Sequence, residues 1–256
     1  MVCFRVLGAV GVLDAEGEQV EVPGELRRVM LAMLLLNGGK VVPREQLAEE
    51  MWPDGTPEHG VNALQAHVVR LRHDLDRLLG VGQGKRRIGT NRFGYSLRVE
   101  SGELDLDVFD SLCAESRELS ESDPATASDM LLRALELWRG PALADVRERS
   151  PRLYAAAVRA EEHHTLVLEE FISLNIRMGN YDGVIGRLKA LTARYPHRER
   201  LFEQLITALG RTGRKVEAAN VFRRLRAELV AEFGVEPSPT LSRRVQEALD
   251  QGSGDS

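Results

Sequence analysis

Between Arg70 and Arg98 the chain carries eight basic side chains: Arg70, Arg72, Arg77, Lys85, Arg86, Arg87, Arg92 and Arg98. Only two carboxylates, Asp74 and Asp76, oppose them. Lysine and arginine packed this densely attract a polyanion by displacing its counterions, whatever its sequence. Arginine adds discrimination, because its planar fork reaches two acceptors on one guanine edge. The remainder of the chain does not share this character. Residues 101–256 hold 21 basic and 26 acidic residues, and the whole chain has a formal net charge of −5. One segment is therefore built to meet an anion.

Other reactive residue types are present without a spacing that could use them. His163 and His164 are adjacent, so they point to different faces of a helix, and His67 and His73 stand six apart. Cys3 and Cys113 form neither a disulfide framework nor a metal motif. The glycines of Gly80-Val-Gly82-Gln-Gly84 are not followed by Lys-Ser/Thr, so they do not make a phosphate loop. No Gly-x-Ser-x-Gly or His-Glu-x-x-His motif occurs. No catalytic residue, metal site or cofactor is expected, and the chain is read as a non-enzyme.

The elements that must position the basic segment follow from hydrophobic periodicity. Residues 3–22 read as short strands, with Val6, Val10, Val12, Val20 and Val22 β-branched and a turn at Asp14-Ala15-Glu16-Gly17. A helix is expected over Glu25–Leu36, stopped by Asn37-Gly38-Gly39. Val41-Val42 reads as an extended link, and a second helix runs from Pro43 to about Met51. Trp52 to Pro57 is a loop by composition. The third helix, about His59–Leu79, buries a stripe of Val61, Leu64, Val68, Leu71, Leu75 and Leu78. At 100° per residue its opposite face carries Asn62, Ala66, Val69, Arg70, His73 and Arg77. A glycine-rich turn, the triplet Lys85-Arg86-Arg87 and a hairpin over Ile88–Arg98 with Arg92 at its tip complete the region. An outer face free of acid suits the major groove, and the hairpin tip suits the adjacent minor groove.

From Leu104 onward the pattern is all helical. Breaks are expected at residues 122–124, 139–141, 179–180, 195–196, 212–213 and 234–239. Gly179 and Gly213 stand 34 residues apart, and the apolar pairs Leu188/Leu191 and Phe222/Leu225 share that offset. This is the period of tetratricopeptide helix pairs, which bury their apolar faces only by stacking. The fold class is thus mixed. An N-terminal α+β winged helix-turn-helix, with a β-sheet before it and a hairpin wing after it, precedes an all-α tetratricopeptide-like domain. The expected divisions are residues 1–101, 102–250 and a disordered tail at 251–256.

The 256 residues allow two domains, and 43% hydrophobic with 29% charged residues is a globular balance. The longest apolar run, Val29–Leu36, falls well short of the roughly 18 residues needed to span a bilayer. No signal peptide is read at the start, and a cytoplasmic location without membrane contact is expected.

The run Ala66-His67-Val68-Val69-Arg70-Leu71-Arg72-His73-Asp74-Leu75, with Thr90-Asn91-Arg92-Phe93-Gly94-Tyr95, resembles the recognition helix and wing of OmpR/PhoB-type response regulators. With Arg198 to Ala218 and Leu229 to Leu241, residues 3–250 resemble the Streptomyces antibiotic regulatory protein family. In that family a winged helix precedes a bacterial transcriptional activation domain. The resemblance implies that Arg70 reads a base with Ala66 close by, that His67 and Arg72 touch phosphates, and that Arg92 enters the minor groove. Thr90 and Tyr95 would brace the wing on the duplex backbone, and Arg87 would add phosphate attraction. Asn62 and Val69 stand where response regulators often have arginine, so altered base preferences are implied. A patch at Trp52, Asp54 and Glu58 would contact RNA polymerase. Neither a receiver domain nor a nucleotide-binding domain is recognised in the chain.

The function so implied is a transcriptional activator. It would bind direct repeats of double-stranded DNA in promoters of a secondary-metabolite cluster, self-associate there, and recruit RNA polymerase holoenzyme with its sigma factor. The alternative is a protein-interaction adaptor or a repressor, with an auxiliary DNA-binding domain.

Overall fold

A computed structural model describes residues 3–14, 16–55, 57 and 60–250. The proposed tail at 251–256 lies outside the described residues, as do His59 and Glu58, and the side chain of Val61 is likewise not described. Three short strands open the chain: β1 (Phe4–Arg5), β2 (Gly11–Leu13) and β3 (Gln19–Glu21). They pair antiparallel, with Phe4 opposite Val12 and Val12 opposite Val20. The Asp14 carboxylate accepts the Glu16 and Glu18 N–H groups and so closes the β2–β3 turn.

Next come α1 (Glu25–Leu35), β4 (Val42–Pro43), α2 (Arg44–Met51), α3 (Gly60–Leu79), α4 (Gln83–Arg87), β5 (Ile88–Thr90) and β6 (Gly94–Leu97). Met30, Leu34, Leu47, Met51, Leu64 and Leu71 are fully or almost fully buried between the three long helices. Two local expectations are corrected. The extended link at 41–42 is a sheet strand, since Val42 of β4 pairs with Tyr95 of β6 and the sheet runs β4-β6-β5. Pro43 therefore precedes helix α2 instead of opening it. The glycine-rich turn is shorter than expected, because Gln83 and Gly84 join the triplet Lys85-Arg86-Arg87 in the one-turn helix α4. Gly82 turns the chain at φ 87°, and the Asp76 carboxylate accepts the Gly84 N–H at 2.7 Å. A Cβ on Gly84 would collide with the Arg72 carbonyl oxygen, so only glycine lets α4 lie this close to α3.

The rest is helical: α5 (Asp105–Leu119), α6 (Pro124–Glu136), α7 (Pro151–Arg177), α8 (Tyr181–Arg194), α9 (Glu199–Arg211), α10 (Lys215–Phe233) and α11 (Pro239–Asp250). The expected breaks fall between these helices. The 34-residue repeat is visible in the backbone. Asn180 N–H donates to Asn175 C=O after Gly179 at φ 80°, and Arg214 N–H donates to Leu209 C=O after Gly213 at φ 75°. Both are left-handed glycine caps that reverse one helix into the next. No helix among the described residues is long and apolar enough to cross a membrane.

The chain forms two compact units, drawn differently from a division at residues 101–102. Among the described residues, one contains residues 3–117 and 130–165, the other residues 118–129 and 166–250. In the first, carboxylates from beyond residue 101 hold the N-terminal strands. Asp105 accepts the Val6 and Leu7 N–H groups at 2.9 and 3.1 Å and pairs with Arg139 at 2.8 Å. Asp145 accepts the Val10 N–H at 2.8 Å and pairs with Arg28 at 2.6 Å. Leu143, Val146 and Leu153 share the core of β1 and α1. In the second unit α9 packs against α8, α10 and α11 around Phe202, Leu205 and Leu209.

Candidate nucleic-acid interface

Helix α3 buries Leu64, Val68, Leu71, Leu75 and Leu78, the members of the expected stripe other than Val61, whose side chain is not described. Its other side exposes Asn62, Gln65, Ala66, Val69, Arg70, His73 and Arg77. Both acids of the segment are engaged elsewhere. Asp74 is almost buried in an ion pair with Arg27 at 2.7 Å, and Asp76 caps α4. The outer face therefore offers cations and amides with no competing free carboxylate from its own helix.

The wing is anchored to this helix. Arg72 Nη2 donates to the Ile88 carbonyl at 2.7 Å and to Thr90 Oγ1 at 2.8 Å. At the wing tip Asn91 Oδ1 accepts the Phe93 N–H at 2.9 Å, and the exposed Arg92 guanidinium stacks 4.3 Å above the Phe93 ring. Arg44, at the start of α2, donates to the Arg92 and Asn91 carbonyls at 3.1 and 3.2 Å. This fixes the tip backbone so that Arg92 projects from a held loop. Gly94 is required, since a Cβ there would collide with the Val42 carbonyl.

Several expected contacts are placed otherwise. Arg87 is not a free phosphate donor: it forms two hydrogen bonds to Glu103 at 2.6 and 2.7 Å and lies 5.4 Å from the Phe4 ring centroid. The Arg87 guanidinium holds the Glu103 carboxyl down at about 2. Tyr95 is 3% exposed and supports the wing from inside, not from a duplex backbone. Arg72 commits one terminal nitrogen, Nη2, to the wing. His67 is half-buried edge-on to Trp52, with ring centroids 5.9 Å apart. Burial pushes its imidazole pKa down, and Arg70 and Arg27 push it further. Its Nδ1 finds no hydrogen-bond partner among the described residues. A neutral imidazole of this kind is a poor phosphate contact. Trp52 is half-buried against the core and Asp54 is exposed, while Glu58 lies outside the described residues.

Comparison with known proteins identifies the two parts of the chain. The family model "Transcriptional regulatory protein, C terminal" matches residues 18–97, and "Bacterial transcriptional activator domain" matches residues 104–249. Regulatory protein DnrI of Streptomyces peucetius is 35% identical over 87% of this chain and 82% of its own length. Transcriptional regulator RedD of Streptomyces coelicolor is 35% identical over 88% of this chain and 64% of its own. The chain belongs to the Streptomyces antibiotic regulatory protein family. Regulatory protein AfsR of Streptomyces coelicolor, 34% identical, matches 96% of this family member, which spans only 24% of AfsR. The structure of Mycobacterium tuberculosis EmbR in complex with a low-affinity phosphopeptide superposes with a TM-score of 0.88. It is 28% identical and covers 98% of this chain and 66% of that one. Membership in the family makes the chain a DNA-binding transcription regulator of the activator type, a winged helix followed by an all-α domain.

Residues that sequence reasoning passed over now join the site. Gln65 is exposed beside Arg70, next to His73, which helical phase already places opposite the buried stripe. Arg44 leaves no such trace, because its partners lie 47 and 48 residues away.

Proposed function

We propose that this regulator activates transcription by placing α3 in the major groove of promoter direct repeats, with Arg70 reading a base edge and Arg92 entering the minor groove. Asn62, Ala66 and Val69 line the same face. The carrying observation is that α3 presents Arg70 on an exposed face, with Asp74 held in an ion pair and Asp76 turned to the Gly84 N–H, beside a wing tip that projects Arg92. Protomers would bind side by side on the repeats. RNA polymerase holoenzyme with its sigma factor would be recruited through Trp52, Asp54 and Glu58. The targets would be promoters of a secondary-metabolite cluster, and the protein would act in the cytoplasm.

The test is footprinting on promoters of the gene cluster around its own gene, followed by transcription in vitro with purified polymerase. Protection of repeated half-sites on one face of the duplex, with a rise in transcript, is the expected result. A fall in transcript defeats the activator reading.

A further inference from the structure

The outer face of α3 is polar except at its centre. Val69 is 63% exposed there, and Ala66, three residues earlier, is exposed too. On the helical wheel both lie within about 40° of the direction opposite the buried stripe. They would lead the helix into whatever it meets.

A single exposed valine is ordinary on a protein surface. This one stands beside Arg70 and is flanked by Gln65 and His73, on a helix whose acids are paired inward. The surrounding charge fits a polyanion, not the apolar face of another protein. In the major groove of duplex DNA, the apolar group that base edges present is the thymine 5-methyl. Valine suits it, since its branched side chain is nearly fixed at χ1 in a helix and loses little freedom on contact.

We infer that Val69, with Ala66 beside it, selects thymine through its 5-methyl group in the major groove. This is a specificity determinant resting on the DNA-binding reading above. One turn of helix advances about 5.4 Å, less than two base-pair steps, so the selected thymine lies within two pairs of the base that Arg70 reads.

The full-length protein is used to select its site from a duplex library with a randomised core. The recovered sequence is then remade with each thymine changed singly to deoxyuridine, which removes the methyl and nothing else. At one or two positions the change should weaken wild-type binding about fourfold, the worth of one buried methylene. Val69→Ala protein, whose thermal melt should match wild type, should be indifferent at the same positions. Equal binding of every deoxyuridine duplex by the wild type overturns the inference, as does an undiminished penalty in Val69→Ala. A library that yields no preferred sequence overturns the DNA-reading proposal and this inference with it.

Discussion

Arg72 of α3 donates one terminal nitrogen to Thr90 Oγ1 and to the neighbouring Ile88 carbonyl, so helix and wing are held in one geometry. A phosphate contact and a wing brace make different predictions. If Arg72 braces the wing, Thr90→Val should weaken DNA binding although it removes no charge. Arg72→Ala should lower stability by about 1.5–3 kcal/mol, the scale of a hydrogen bond to a charged group. The two changes combined should cost less than their sum in a double-mutant cycle read by DNA affinity. Full additivity, with Thr90→Val silent, would return Arg72 to the phosphate.

Arg70 and Arg92 should separate by the kind of loss. Arg70→Ala should cost roughly 1–3 kcal/mol on the selected site and little on random duplex. Arg92→Ala should relax preference for a narrow minor groove and reduce the slope of log K against log salt by about one. Titrations at four salt concentrations on both duplexes decide the matter, and equal loss on both by Arg70→Ala would remove its base-reading role.

What the sequence revealed and what it hid divide along a physical line. The buried stripe of α3 and the glycine caps at Gly179 and Gly213 are local and periodic, so they follow from spacing alone. The charge excess from Arg70 to Arg98 was legible as a total, but not its distribution. Arg87 and Arg72 count towards that total as Arg70 does, yet Glu103 and Thr90, 16 and 18 residues away, claim them. Tyr95 is set on the duplex backbone by the resemblance alone, and a motif match does not tell which side of a three-stranded sheet faces the core. The β4–β6 pairing that buries it spans half the winged helix.

The Arg87–Glu103 pair gives a pH signature. Glu103 sits at about 2 in the folded protein against an ordinary value of 4.5, so the unfolded chain binds the proton first. Its stabilising effect is fully present above pH 4.5 and is lost as pH falls from there towards 2. Unfolding in urea should show Glu103→Gln destabilised by on the order of 2 kcal/mol at pH 7. The gap to wild type should narrow steadily below pH 4.5. A gap that stays constant down to pH 3 would mean that the ion pair is not its source.

The two compact units predict where the chain can be cut. A fragment of residues 1–101 contains every residue of the proposed DNA interface, yet it lacks Asp105 and Asp145. The Val6, Leu7 and Val10 N–H groups, on residues at most 2% exposed, would lose the carboxylates they donate to. Each such orphaned donor costs about 1–3 kcal/mol. The fragment also loses Leu143, Val146 and Leu153 from the core it shares with β1 and α1. Against a typical domain stability of about 5–15 kcal/mol, these losses together should leave it marginal or unfolded. Asp105→Asn in the full chain should show part of the same effect, because Arg139 then stands opposite an uncharged group. Thermal melts followed by far-ultraviolet circular dichroism should rank the full chain above a 1–165 fragment, and that above 1–101. A 1–101 fragment melting cooperatively at the full-length temperature would show that the winged helix needs nothing beyond it, and the division at 101 would then be the physical one.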